Sequence, residues 1–168
     1  MVPSVLRQLL FVSLVFAACS AHAQGPQEAF YAIGQAYSAK SSCDISVNPK
    51  PGEATWLSWR FDVESEYNYQ RSQANGPPRD EEWWDYLDDV EIHLDSCDIA
   101  LSDHEYNYNF GVDYLADAEE AYAQSNWWLA YTLANSAKAY FDNAKQKGLE
   151  CNTSLQAAET MLDEWPIT

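Results

Sequence analysis

Apolar positions recur along most of the chain at three- and four-residue steps, the signature of helices that bury one face. Over residues 80–101, Trp83, Leu87, Val90, Leu94, Cys97 and Leu101 alternate steps of four and three without a miss. Pro77-Pro78 stands ahead of this helix, and Asp80, Glu81 and Glu82 suit its first turn, where unpaired N–H groups favour negative charge. A second helix is expected over 104–122. Ser102 and Glu105 form a capping box ahead of it, and Tyr108, Val112, Leu115, Ala118 and Tyr122 make its inner face. Ser125 can cap a third, whose stripe is Trp127, Ala130, Ala134, Ala137, Phe141 and Ala144 and whose stop is Gly148. Thr153 and Gln156 form another box, opening a short terminal helix that ends near Pro166.

Upstream, residues 27–42 place Phe30, Ile33, Ala36, Tyr37 and Lys40 on one helical face. Residues 54–72 carry two patterns. Leu57, Trp59, Phe61 and Val63 alternate with polar residues as in a strand, whereas Trp56, Val63, Tyr67 and Gln70 fit a helix. Tyr106, Tyr108, Phe110 and Val112 alternate in the same way. A lone two-stranded ribbon is marginal in water, so helix is expected at both places. The Pro- and Gly-containing stretches 47–53 and 74–79 read as loops. These elements predict an all-α, antiparallel up-and-down bundle or array of five to six helices, forming one domain over 24–168.

Within it, a solenoid-like helical hairpin is expected at 104–148. The part 111–144 resembles one tetratricopeptide repeat at Tyr114, Ala118, Trp127, Ala130 and Ala137. It departs from that motif at Asp117, at Ala121 and in the missing terminal Pro, and it covers about a fifth of the chain.

The first 23 residues have a different character. Arg7 is followed by an apolar run from Leu9 to Ala18, too short to span a bilayer but suited to a signal peptide. Ala21-His22-Ala23 then places small residues for cleavage before Gln24. A lipid anchor at Cys19 is the rival reading, disfavoured by Phe16 at the first position of its recognition box. No later stretch is apolar over the roughly 18 residues that a span needs. The expected location is therefore the periplasm or the extracellular space. Asn152-Thr153-Ser154 is a glycosylation sequon in a eukaryotic source.

Cleavage leaves Cys43, Cys97 and Cys151, spaced by 54 positions each. An oxidising compartment favours one disulfide among the three and leaves one thiol over. That odd cysteine offers a disulfide-linked dimer. All three cysteines are expected near helix C-terminal ends, gathered at one end of the bundle, with His104 starting the helix after Cys97. A zinc site of three Cys and His104 is then conceivable, although close CxxC pairing is absent. Asp89, His93 and Cys97 also follow one helix edge at four-residue steps, a second set of metal-capable groups.

Charge changes the picture most. The chain carries 26 Asp and Glu against 9 Lys and Arg, a formal net charge of −17, which becomes −18 once Arg7 is removed. Direct binding to nucleic acid or to an anionic membrane through a basic patch is excluded by that sign. No Lys or Arg occurs from Asp80 to Ala137, while fifteen Asp and Glu do. Glu81, Asp88, Glu91, Asp95 and Asp98 run out of phase with the apolar stripe of 80–101, and Asp113, Asp117 and Glu120 do the same on the next helix. The expectation is one uncompensated acidic surface across two helices, steering a basic protein or cationic peptide.

Seven Trp and eleven Tyr add an aromatic surplus. In the pairs Trp83-Trp84 and Trp127-Trp128 the first member is on the inner stripe, so Trp84 and Trp128 fall at the flank and are the expected aromatic contacts. No HExxH, GxSxG, P-loop or Gly-rich phosphate motif occurs, and no cofactor is implied. The function expected is an exported acidic helical binding protein, in concrete form an inhibitor or immunity-type protein. A carrier for a sugar, an amine or a divalent metal, using aromatics and carboxylates, is the alternative.

Overall fold

The structure, a computed structural model, describes residues 25–46, 56–74 and 81–164, without the side chains of 44–46, 56, 57, 74, 81 and 82. The expected signal peptide, the cleavage point before Gln24, Cys19, the loop 47–53 and Pro166 lie outside the described residues. So does all of the loop 74–79 beyond the backbone of Ala74. The described residues form four helices and no strand: α1 (Pro26–Ser46), α2 (Trp56–Ala74), α3 (Glu81–Ala123) and α4 (Trp127–Glu164). The strand-like alternation at 57–63 and at 106–112 is helical in both places.

Five to six helices become four because two expected boundaries do not exist. α3 has 43 residues and runs straight through Ser102, and α4 has 38 and runs through Gly148 and Thr153. The reason is the phase of the buried stripe. On α3 it continues past Leu101 to His104, Tyr108, Gly111, Leu115 and Ala118, still in steps of three and four. On α4 it reads Ala130, Ala134, Ala137, Phe141, Ala144, Gly148, Cys151, Leu155, Ala158 and Leu162. A sustained 3.5-residue repeat is the pattern of a left-handed coiled coil.

Two contacts bracket the absent breaks. Cys97 is bonded to Cys151, and seven residues on along α3, His104 meets Ala144, seven residues back along α4. The antiparallel register is thus kept across the interval. A capping box at Ser102 would gain one or two hydrogen bonds and forfeit this packing; Thr153 instead donates its hydroxyl to Leu149 O at 2.9 Å within the helix.

At about 1.5 Å per residue the α3/α4 hairpin is about 60 Å long. Such helices far exceed those of a 34-residue repeat. The hairpin is a coiled-coil arm, and the expected solenoid-like unit at 104–148 is only its distal part.

The turn contains Gln124, Ser125 and Asn126. Ser125 takes the left-handed conformation at φ 60°, with hydrogen bonds from Asn126 N to Ala121 O and from Ser125 N to Tyr122 O. These two bonds form a Schellman motif. Asn126, not Ser125, caps α4, its Oδ1 accepting from Leu129 N at 3.4 Å.

α1 and α2 lie in succession along this hairpin. α1 packs on the distal half: Ala29 clusters with Ala121 and Ala130, Ala32 with Ala118 and Ala134, and Ala36 and Ala39 with Leu115, Ala137 and Phe141. α2 packs on the other half, where Trp59, Val63 and Tyr67 join Leu87, Val90, Leu94, Cys151, Leu155 and Leu162. Both run antiparallel to α3, and among the described residues they make no contact with each other.

The inner face of α1 is Ala29, Ala32, Ala36, Ala39 and Cys43, which corrects the expected stripe. Phe30 and Tyr37 are exposed. Alanines win because helix separation is set by the side chains at the contact, and small ones let three backbones close together. On α3, Gly111 is buried where Val112 was expected, and Val112 faces outward.

Candidate interaction surface

Glu91, Asp98 and Glu119 are spaced by multiples of seven and therefore share one edge of α3. That edge faces α1 and α2. Arg60 of α2 grips Asp98 with both carboxylate oxygens, Nε to Oδ1 at 2.5 Å and Nη2 to Oδ2 at 2.6 Å, and also reaches Glu64 at 2.7 Å. Glu91 accepts from Tyr67 Oη at 2.8 Å and from Arg71 Nη1 at 2.9 Å. Those donors, the Tyr67 hydroxyl first, hold the Glu91 carboxyl below the usual carboxylate range. Glu119 accepts from Tyr37 Oη at 2.6 Å.

The uncompensated acidic surface expected from sequence is corrected here. Glu91 and Asp98 are neutralised by arginines that lie 20 and 38 positions away along the chain. Lys147 of α4 likewise pairs with Asp103 at 3.4 Å. Absence of Lys and Arg from 80–137 says nothing about cations brought in by neighbouring helices.

The remaining expected carboxylates keep their exposure. Asp88, Asp95, Asp113, Asp117 and Glu120 are exposed and make no ion pair among the described residues; the side chain of Glu81 lies outside them. Glu120 accepts from Gln124 Nε2 at 2.9 Å. Of the flank tryptophans, Trp84 is half-buried against the α2 end of the core, whereas Trp128 is exposed near the hairpin tip.

Opposite the α1/α2 edge, the hairpin is lined by rings. Tyr106 and Phe110 are 4.6 Å apart between centroids, Phe110 stacks on Tyr140 of α4 at 5.5 Å, and Tyr140 stacks on Tyr114 at 5.3 Å. Asp113 and Asp117 flank these rings at helical spacing. Phe110, Tyr140 and Tyr114 stack on one another, while Tyr106 is tilted against Phe110 and stays exposed.

The sequence reading passed over one line of residues. Ile92, Ile99 and Tyr106 are 60%, 66% and 59% exposed on the outer side of α3. Their signal is a second apolar period of seven, masked by the stronger buried stripe and by the acidic residues between.

The metal-capable residues do not converge. Cys97 and Cys151 hold each other, which removes two ligands from the conceivable zinc set and one from the Asp89–His93–Cys97 edge. They also sit midway along α3 and α4 rather than at helix ends, because those helices continue. His104 directs Nδ1 at the Ala144 carbonyl, 2.8 Å away; a carbonyl can only accept, so Nδ1 carries the proton. Among the described residues no three His, Cys, Asp or Glu are grouped to hold a metal ion. Cys43 is outside the disulfide and fully buried on the inner face of α1, so a bridge to another chain would require α1 to lift away from α3 and α4.

A shallow cleft of about 910 Å³ next to Trp59 is bordered by His93, Leu149, Gln156, Thr160 and Met161. No described helix is long and apolar enough to cross a membrane. No protein-family model matches the chain, and neither a curated protein nor a solved structure is significantly similar to it.

Proposed function

We propose that this is an exported, acidic interaction protein, a rigid helical arm that engages a basic protein or cationic peptide through the outer side of α3. The observation that carries this reading is the division of the carboxylates. The arginines of α2 serve one edge of α3, while Asp88, Asp95, Asp113 and Asp117 stay exposed without ion pairs among the described residues. A field of one sign along a rigid helix raises the rate at which cationic partners meet it. Export agrees with the apolar leader followed by Ala21-His22-Ala23 and with the disulfide, since oxidising compartments preserve such bonds.

Titrating the full chain with a lysine-rich peptide at increasing salt tests the reading. Affinity should fall steadily with salt, and Asp88→Asn, Asp95→Asn and Asp117→Asn together should weaken binding at low salt by about tenfold, on the scale of 1.4 kcal/mol. Binding indifferent to both would overturn it.

A further inference from the structure

We infer that the outer face of α3 is a docking seam for a basic amphipathic helix supplied by the partner, an inference that rests on the acidic-partner reading above. Ile92, Ser96, Ile99, Asp103, Tyr106 and Phe110 follow one another in steps of four and three, the spacing of a coiled-coil seam. This seam is separate from the buried one and is turned away from α1 and α2, while on its α4 side Asp103 meets Lys147 and Phe110 stacks on Tyr140. Its apolar members are exposed, and Tyr106 and Phe110 already pack together at a centroid distance of 4.6 Å. From Ile92 to Phe110 it extends about 27 Å, five helical turns.

Charge selects the occupant. Asp88 and Asp95 flank the line at exposed positions, Asp89 extends it one step ahead of Ile92, and Asp103 lies within it, bound to Lys147 at 3.4 Å. A second copy would bring the same aspartates to the same seam and be repelled. A helix with apolar residues at steps of three and four, and Lys or Arg along the side that meets Asp88 and Asp95, satisfies both the apolar line and its acidic flank.

The test uses the full chain and three synthetic helical peptides: a lysine-flanked amphipathic helix, the same peptide with its apolar positions scrambled, and the same apolar face flanked by glutamate. Fluorescence anisotropy should show the first binding at least tenfold more tightly than the other two. Ile92→Ser with Ile99→Ser, both at exposed sites, should remove that advantage while leaving circular dichroism and the salt dependence unchanged.

Equal binding of the ordered and scrambled basic peptides overturns the seam and leaves the acidic-partner reading standing. Failure of both basic peptides at low salt overturns that reading too. Self-association of the chain alone, abolished by Ile99→Ser in sedimentation, would assign the seam to a second copy and overturn the inference.

Discussion

The ring of Phe141 occupies the space where Gly111 would carry a Cβ. A Cβ built on Gly111 would come within 2.7 Å of one ring carbon and 2.8 Å of another, and Phe141 is fully buried. At this point of the α3–α4 seam a ring packs against a bare backbone.

Gly111→Ala should destabilise the fold. Helix propensity alone would favour alanine by about 1 kcal/mol. Overpacking a ring that has no exposed side to move into costs about 1–3 kcal/mol, and it wins. Urea denaturation should show a net loss of about 1 kcal/mol. Combining the change with Phe141→Leu should cost less than the two single changes summed, because the second makes room for the first.

Ser125→Gly should act in the opposite direction. Ser125 holds φ at 60°, a conformation that costs a side-chain-bearing residue about 1–2 kcal/mol and glycine little. A gain of about 1 kcal/mol is expected, and a melting temperature higher by about 2–4 °C would show it. A fall in stability would mean that the Ser125 hydroxyl does more at the turn than its backbone strain costs.

Cys97 and Cys151 close a loop of 54 positions across the middle of the hairpin. Replacing both by alanine should lower stability by about 2–4 kcal/mol. Non-reducing peptide mapping should join these two cysteines, with Cys43 alkylated only after unfolding. A bridge that includes Cys43 would contradict the register of the hairpin.

The α2–α3 contact should make stability fall at both ends of the pH scale. The Glu91 carboxyl is held below its ordinary 4.5, chiefly by the Tyr67 hydroxyl. A depressed carboxylate stabilises the fold above its unfolded pKa, and that contribution is lost as pH falls through the folded value. Tyr67 itself is pushed up to about 12, by burial first and then by its bond to Glu91. Its contribution is complete below pH 10 and lost as pH rises through about 12. Glu91→Gln should flatten the acid branch of a urea-stability profile. Tyr67→Phe should flatten part of the alkaline branch, at a cost near neutrality of about 1 kcal/mol for the lost hydrogen bond. Tyr86, raised to about 12 by burial, retains the rest of the alkaline dependence.

Helix content, the inner stripe from Trp83 to Leu101, and that from Ala130 to Ala144 were legible in the sequence, because a 3.5-residue repeat is a local property of the chain. The alanine face of α1 was not. Phe30 and Tyr37 carry the stronger apolar signal, and only the closeness of two other helices rewards Ala29, Ala32, Ala36 and Ala39. Capping boxes at Ser102 and Thr153 were misleading for a related reason: a box is worth one or two hydrogen bonds, and an unbroken stripe facing a partner helix in register is worth more.

Composition and spacing by themselves determined an all-helical chain with an acidic stretch from Asp80 to Glu120. Which of those carboxylates stay free for a partner was decided only by tertiary structure. Electrostatic compensation acts through space over a few ångströms, and Arg60 and Arg71 reach Asp98 and Glu91 only because α2 lies along one edge of α3. The same placement leaves Asp88 and Asp95 flanking the Ile92–Ile99 line on a side that no helix covers among the described residues.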